Sequence, residues 1–280
     1  MLQAGHGDSL FVGMPEREYR MRASLPKVSA VVIAYNDEPN MHACLRSLGW
    51  ADELIVVDSF STDATTRISQ EYTDKIFQHK FEGFGKLRND AIAHASYDWV
   101  FSLDTDERAN DGIHDEIRRK LQEGPEADAY FVPRHNYFLG RRIKHCGWYP
   151  DYRQPQFFHK HRMRYREDLV HESFELEGKI GYFKAHVDQY PFRNIDQYLE
   201  KMDRYSSLRA KVIQKNGRRF YVHQLIARPL YTFLKMYVLR LGILDGMPGL
   251  ILSGLYTYYT FVKYAKLWEL EEGSGRSTSP

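Results

Sequence analysis

Residues 28–34 form a continuous apolar run broken only by Ser29, followed at once by Tyr-Asn-Asp-Glu (35–38). A run of that length and apolarity predicts a strand buried on both faces. Met41, Cys44, Leu45 and Leu48 then recur at helical spacing, and Gly49 stands where it can close the helix. The alternation repeats. Residues 54–57 predict a strand ending in Asp58, with Thr62 or Asp63 able to cap the helix that follows. Residues 75–78 predict a short third strand; Leu87, Ala91, Ile92 and Ala95 describe an amphipathic helix, and residues 99–103 a strand. Ile113, Ile117 and Leu121 describe a helix before Gly124, and residues 129–132 a further strand. Strand alternating with helix predicts an α/β fold with a mostly parallel sheet.

The polar residues fall where such a sheet binds ligands. Asn36, Asp37, Glu38, Asp58, Asp63, Asp104 and Asp106 all follow apolar strands, at their carboxyl ends. The strand at 99–103 ends abruptly in Asp-Thr-Asp-Glu (104–107). A sheet core rejects unpaired carboxylates, so these acids belong in an edge cleft. Two carboxylates one residue apart suit a divalent cation with oxygen ligands that takes the rest of its shell from water and a diphosphate. The plainer alternative is a solvated loop. Asp63 reads better as a cap or turn former, whereas Asp58 can accept hydrogen bonds from a nucleobase or ribose. A Gly-x-x-x-x-Gly-Lys-Ser/Thr loop does not occur, which argues against an ATPase.

The chain has 280 residues, enough for one large domain or a domain with an appendage. Its formal charge of +2 gives no argument for a nucleic-acid partner. Two cysteines, Cys44 and Cys146, cannot build a disulfide framework, and no secretory signal stands at the N-terminus, so a reducing cytoplasm is expected. Residues 1–26 lack a clear period and read as an extension; Gly-Ser-Gly-Arg-Ser-Thr-Ser-Pro (273–280) reads as a flexible tail.

Between 134 and 175 the period is lost. Gly-Trp-Tyr-Pro-Asp-Tyr (147–152) can form an aromatic platform for a sugar ring through Trp148 and Tyr149, or those rings can close the core. The basic run 159–166, taken as a strand, alternates faces and meets either solvent or an anionic partner. Asn194 can cap a long helix with Ile195, Leu199, Met202, Leu208 and Val212 inward, ending near Gly217. Residues 220–267 mix apolar, aromatic and cationic positions. Their longest uncharged stretch, 246–262, contains Pro248 and is short of the ~20 residues of a spanning helix. Helices lying in a membrane interface fit this pattern, with an oligomer interface or a lid as the alternatives.

Four stretches, Val-Val-Ile-Ala-Tyr-Asn-Asp-Glu (31–38), Ile-Val-Val-Asp-Ser-Phe-Ser-Thr-Asp (55–63), Lys-Leu-Arg-Asn-Asp-Ala (86–91) and Ser-Leu-Asp-Thr-Asp-Glu (102–107), resemble in order and spacing the landmarks of family 2 glycosyltransferases with the GT-A fold. The resemblance implies that Asn36, Glu38 and Asp58 line a nucleotide pocket and that Lys86, Arg88 and Asn89 face the donor diphosphate. It implies that Asp104 holds ribose or a metal-bound water, and that Asp106 is the direct ligand of Mn²⁺ or Mg²⁺, with His186 a third ligand. Residues 167–173, Glu-Asp-Leu-Val-His-Glu-Ser, resemble the Val-His-Glu segment of the bacterial lipopolysaccharide-core β-1,4-glucosyltransferase branch. That branch follows Trp-Tyr-Pro-Asp with Arg-Leu-Phe, where this chain has Gln-Phe-Phe (156–158). Inverting sugar transfer needs a base for the acceptor hydroxyl; Glu172 is the first candidate, Asp168 the second and Asp151 the third. A structural salt bridge is the rival role for Glu172, and His171 can orient base or acceptor.

The expectation is therefore an α/β, GT-A, Rossmann-like domain at 27–190 (a nucleotide-sugar half at 27–135, an acceptor half at 136–190), a C-terminal helical region at 191–270 and a tail at 271–280. Its substrates would be a UDP-sugar, UDP-glucose first, and a lipid-linked saccharide such as lipopolysaccharide inner core. It would work at the cytoplasmic face of the membrane, held there peripherally, with oligomers possible through the C-terminal helices. The competing readings are transfer to another envelope saccharide, a nucleotidyltransferase, and a non-catalytic saccharide-binding module that keeps the GT-A core.

Overall fold

The computed structural model describes residues 25–167 and 173–276, with side chains to residue 273. The extension before residue 25, Asp168, His171 and Glu172, and the tail beyond 276 lie outside the described residues. The strands are β1 (Val28–Ala34), β2 (Glu53–Asp58), β3 (Ile76–Gln78), β4 (Trp99–Asp104), β5 (Glu107–Ala109), β6 (Ala129–Phe131), β7 (Arg134–Phe138), β8 (Arg141–Arg142), β9 (Pro155–His159), β10 (Met163–Tyr165), β11 (Phe174–Leu176), β12 (Ile180–Tyr182) and β13 (Val187–Gln189). The α-helices are α1 (Glu38–Arg46), α2 (Thr65–Ser69), α3 (Phe84–Ala93), α4 (Asp111–Glu123), α5 (Ile195–Lys215), α6 (Ala227–Phe233) and α7 (Gly246–Arg276). The chain divides into two compact units. Among the described residues, one gathers 25–105, 109–132, 153–167 and 173–185; the other gathers 106–108, 133–152 and 186–276.

The first unit is built on a seven-stranded sheet in the order β12-β6-β9-β4-β1-β2-β3. β4, β1, β2 and β3 run parallel, and β9 enters antiparallel between β4 and β6. The mixed, mostly parallel sheet agrees with the alternation in the sequence. The chain steps outward from β1 to β2 and β3, then returns to β1's other side for β4. That reversal makes the carboxyl ends of β1 and β4 a topological switch point, the usual ligand crevice of open α/β sheets. Leu87, Ala91 and Ile92 of α3 pack on Val31, Ile55, Val57 and Val100 of the sheet. α4 begins at Asn110, whose side chain accepts from the Ile113 amide, and ends at Gly124 with φ 87°. Gly85 has no alternative: a Cβ there would sit 1.9 Å from the Arg166 carbonyl oxygen.

The basic run 159–166 is a turn followed by a strand, since β9 stops at His159 and β10 starts at Met163. Its cations meet acids, His161 with Asp98, Arg164 with Glu167 and Arg166 with Glu175, so it is a solvated, ion-paired face.

The second unit carries a four-stranded sheet, β5-β13-β7-β8, and the C-terminal helices. The Asn194 carboxamide accepts from the Gln197 amide at 2.8 Å and caps α5, as expected. The inward face of α5 agrees with the expectation at Met202, which packs against the cluster of Phe138, Tyr198 and Leu252, and differs elsewhere. Ile195, Leu199 and Leu208 are exposed, while Tyr198, Ser206 and Ala210 are buried. Small residues make the contact: Ala210 packs with Tyr264 and Leu267 of α7, which a row of leucines would hold apart. α6 runs on as a π-helical stretch, Leu234–Leu239, then a 3₁₀ turn, Gly242–Asp245. α7 continues to Arg276, past the start of the expected tail. No single helix among the described residues is long and apolar enough to cross a membrane, but the bent pair 222–239 and 242–273, at 69°, meets that test by length and composition together.

Candidate functional site

In the first unit, register decides which side chains share an edge. Ala34 pairs with Asp58 and Ile33 with Asp104, so β1, β2 and β4 end together. At ~4.8 Å per strand, Asp58 and Asp104 flank β1 about 10 Å apart. Asn36, Asp37 and Glu38 leave β1 between them. The loops after β1 and β2 are stitched together. Asn36, at φ 46°, takes the Thr62 amide on its Oδ1 at 2.7 Å, and its own amide donates to Ser61 Oγ at 2.8 Å. The Glu38 amide donates to Asp63 Oδ2 at 3.1 Å, and Glu38 Oε2 accepts from the Ala64 amide at 3.2 Å. Asp63 also accepts the Thr65 amide, so it serves as a local turn former and a tie between loops. Burial would raise its carboxyl pKa, but the bonds from Thr65 and Glu38 outweigh that and lower it.

Asp58 is fully buried and accepts from the Ser61 amide and hydroxyl and, at 3.3 Å, from Gln78 Nε2. Arg88, 3% exposed, donates from Nη2 to Asp104 Oδ1 at 2.7 Å, with its guanidinium over the rings of Phe84 and Tyr165. Thr105 Oγ1 donates to Asp37 Oδ2 at 2.5 Å and ties the turn after β4 to the loop after β1. Lys86 lies one helical turn from Asp90 and pairs with it at 3.2 Å, which raises the lysine's pKa. Asn89 clamps the strand behind it, donating to the Tyr165 carbonyl at 2.8 Å and accepting its amide at 3.0 Å. That double bond to backbone is a use for Asn89 which its place in the sequence motif did not reveal.

In the second unit, both carboxylate oxygens of Asp106 accept from Gln189 Nε2, at 3.3 and 3.4 Å, and the Asp106 carbonyl accepts the Tyr190 amide at 2.8 Å. The neighbouring Glu107 is fully buried and ion-paired with the equally buried Arg134. Asp151 accepts from Asn136 Nδ2 at 3.2 Å. Trp148 packs edge-on against Phe138 and Tyr256. Tyr149, exposed, shares a 3.1 Å hydrogen bond between its hydroxyl and His186 Nε2, and Arg142 lies over its ring. His186 stacks on His135 with centroids 3.8 Å apart, and His135 Nδ1 stands 3.4 Å from Asp188 Oδ1. Burial pushes Asp188 up; burial and the nearby Arg142 push His135 down. Glu107, Arg134, His135, Asp188 and Gln189 were not singled out in the sequence. Glu107 alone carried a signal, as the acid that extends Asp-x-Asp.

The profile of the family described as Glycosyl transferase family 2 matches residues 29–190. The chain belongs to that family. Among curated proteins, this family 2 glycosyltransferase is 28% identical to the lipopolysaccharide core biosynthesis glycosyltransferase LpsC of Rhizobium meliloti, over 88% of this chain and 94% of that one. An uncharacterised glycosyltransferase of Rickettsia typhi is 26% identical over 88% of each. Among solved structures, S. aureus TarS 1–349 in complex with UDP-GlcNAc matches with a TM-score of 0.46 at 17% identity, covering 88% of this chain and 92% of that one.

Among the described residues, no three histidine, cysteine or carboxylate side chains gather into a group able to hold a metal ion. A cation needing three or more protein ligands therefore does not fit them. One that takes most of its shell from water and a diphosphate asks for fewer protein ligands.

Proposed function

We propose that this family 2 glycosyltransferase moves glucose from UDP-glucose, with inversion, onto a lipid-linked envelope saccharide. The observation that carries this is the shared edge of β1, β2 and β4, which brings Asn36, Glu38, Asp58, Arg88 and Asp104 to one switch point. Asp58 retains acceptor capacity for a uridine or ribose group beyond its bonds to Ser61 and Gln78. Asp104, oriented by Arg88, is suited to the ribose or to a water on the cation. Asp106 would hold Mn²⁺ or Mg²⁺ with the donor diphosphate, and the ion's chemistry there is to offset charge on the leaving group. His186, bonded to Tyr149 and stacked on His135, stays the weaker choice for a third ligand.

The acceptor oxygen attacks the anomeric carbon while the bond to the diphosphate breaks and UDP leaves. Lys86 adds positive charge on the side of the leaving group. The hydroxyl's proton passes to a carboxylate, Glu172 first, Asp168 next and Asp151 third. Tyr149 offers the sugar an exposed ring, while Trp148 packs on Phe138 and Tyr256; His171 is assigned to orienting the acceptor. The name of the Rhizobium relative supports a lipopolysaccharide-core acceptor, and transfer to another envelope saccharide is the second reading. Exposed Ile226, Leu230, Val238 and Leu239 support a peripheral place on a membrane surface, which the proposal puts at the cytoplasmic face. A second copy is the other partner those residues fit.

The test is a UDP-release assay on the full chain with a panel of UDP-sugars, with and without heptose-terminated core saccharide. Release from UDP-glucose that rises on adding acceptor supports the proposal. Release only from another UDP-sugar would move the donor assignment, and binding of UDP-glucose without release on any acceptor would favour a saccharide-binding module.

A further inference from the structure

Four cations without a carboxylate among them line a cavity of about 400 Å³ in the second unit: Arg228, Lys235, Arg240 and Lys263. A cavity of this size falls in the ~300–1,000 Å³ range of small-molecule sites. Arg240 is held by the Gly147 carbonyl at 3.3 Å. The other three have no carboxylate partner among the described residues and rest against rings instead. Arg228 lies over Tyr264 at 5.9 Å, Lys235 over Tyr231 at 5.9 Å, and Lys263 over Tyr264 at 5.0 Å. Gathering like charges around one cavity costs free energy that a bound anion offsets. Lys263 registers that cost: burial, then Arg209 and Arg228, push its ammonium pKa down.

We infer that this cavity is a second binding site of the protein, one that takes the phosphate of an anionic membrane lipid. The phosphate chemistry follows from the cations; the hydroxyls of Thr232 and Thr260 on the same wall already donate to the carbonyls of Arg228 and Tyr256. The lipid source follows from what flanks them. The helical stretch that carries Arg228 and Lys235 also exposes Leu230, Leu234, Val238 and Leu239, an apolar edge that a free phosphate has no use for and acyl chains do. The π-helical turn at Leu234–Leu239 brings Lys235 and Met236 to the cavity while leaving Val238 and Leu239 outward. The inference deepens the membrane-surface reading above and rests on it for the source of the phosphate.

The experiment is calorimetric titration of the full chain with soluble short-chain phosphatidylglycerol and, separately, with inorganic phosphate. It compares the unaltered protein, Lys235→Gln/Lys263→Gln, and a control, Lys211→Gln/Lys215→Gln, which removes the same charge from α5. Circular dichroism checks folding, and Arg228→Gln, at an exposed position, replaces the double variant if that unfolds. The expected result is saturable 1:1 binding of the lipid, weakened at least about tenfold in the cavity variant and unchanged in the control. No saturable binding, or equal binding by folded cavity and control variants, would overturn the site. Inorganic phosphate binding as tightly as the lipid would overturn the lipid assignment. Sedimentation with phosphatidylcholine vesicles containing phosphatidylglycerol separates the two readings. Vesicle binding that survives intact in the cavity variant would overturn the site and leave peripheral attachment standing.

Discussion

Arg88, buried on α3, donates to the Asp104 carboxylate at the end of β4 across 2.7 Å. The pair fixes the rotamer of an acid that the sheet delivers to its edge, and it compensates a guanidinium that has almost no contact with water. Arg88→Met removes this ion pair from Asp104. Because Asp104 is about a third exposed, the stability cost is expected at about 1–3 kcal/mol in urea denaturation. UDP affinity should fall at least about tenfold by calorimetry. Arg88→Lys should recover part of the stability and little of the affinity, since a lysine cannot reproduce the planar fork.

Glu107 and Arg134 are the deeper pair, both fully buried, on β5 and β7 of the second unit's sheet with β13 between those strands. Glu107→Ala strands the guanidinium, and a loss of about 3–5 kcal/mol is expected. Replacing both residues with apolar ones of similar size, Glu107→Leu with Arg134→Met, should recover most of it. Denaturant midpoints of the single and double variants check both statements.

Trp148 and Tyr149 are neighbours with different work. Trp148 packs on Phe138 and Tyr256, so Trp148→Ala is expected to cost about 2–4 kcal/mol. Tyr149 is exposed, and Tyr149→Ala should leave stability within about 1 kcal/mol while raising the acceptor KM. Thermal melts and acceptor titrations in the release assay distinguish the two.

Glu53 predicts the acid limb of stability. Burial alone would raise its pKa, but hydrogen bonds from Lys75, Ser29 and Ser96 hold it at about 2, against an ordinary 4.5. A depressed folded-state pKa contributes stability that is fully present above pH 4.5 and is lost as pH falls from there through about 2. The contribution is about 3 kcal/mol. Glu53→Gln should lower stability at neutral pH and flatten its decline between those values, measured by urea denaturation across the range.

The first half of the chain was legible because parallel strands buried on both faces leave uninterrupted apolar runs, and β1, β2 and β4 end in polar residues that nothing in a core would tolerate. The Asn194 cap and the Gly124 stop were equally local. What escaped was carried by long-range pairing. β9 slips antiparallel between β4 and β6 from 51 residues downstream of the end of β4, and no local period announces that. Asn89 turned to Tyr165 because β10 arrives beside it. Part of the inward face of α5, at Ile195, Leu199 and Leu208, was misread because size was taken as burial, whereas the buried positions include Ser206 and Ala210. The Glu107–Arg134 pair joins residues far apart in sequence, and its partners look like ordinary surface charges until the sheet brings them together.

The central proposal is that the carboxyl edge of β1, β2 and β4 takes a nucleoside diphosphate, with Asp106 proposed as the residue that binds a divalent cation. Calorimetric titration of UDP into the full chain, with and without Mn²⁺, tests it most directly beside Asp106→Asn, a variant whose side-chain oxygen can still accept from Gln189. The account predicts saturable binding that strengthens with Mn²⁺ in the unaltered protein and loses that strengthening in the variant. Binding of UDP that is indifferent to Mn²⁺ and to Asp106, or no binding at all, would contradict it.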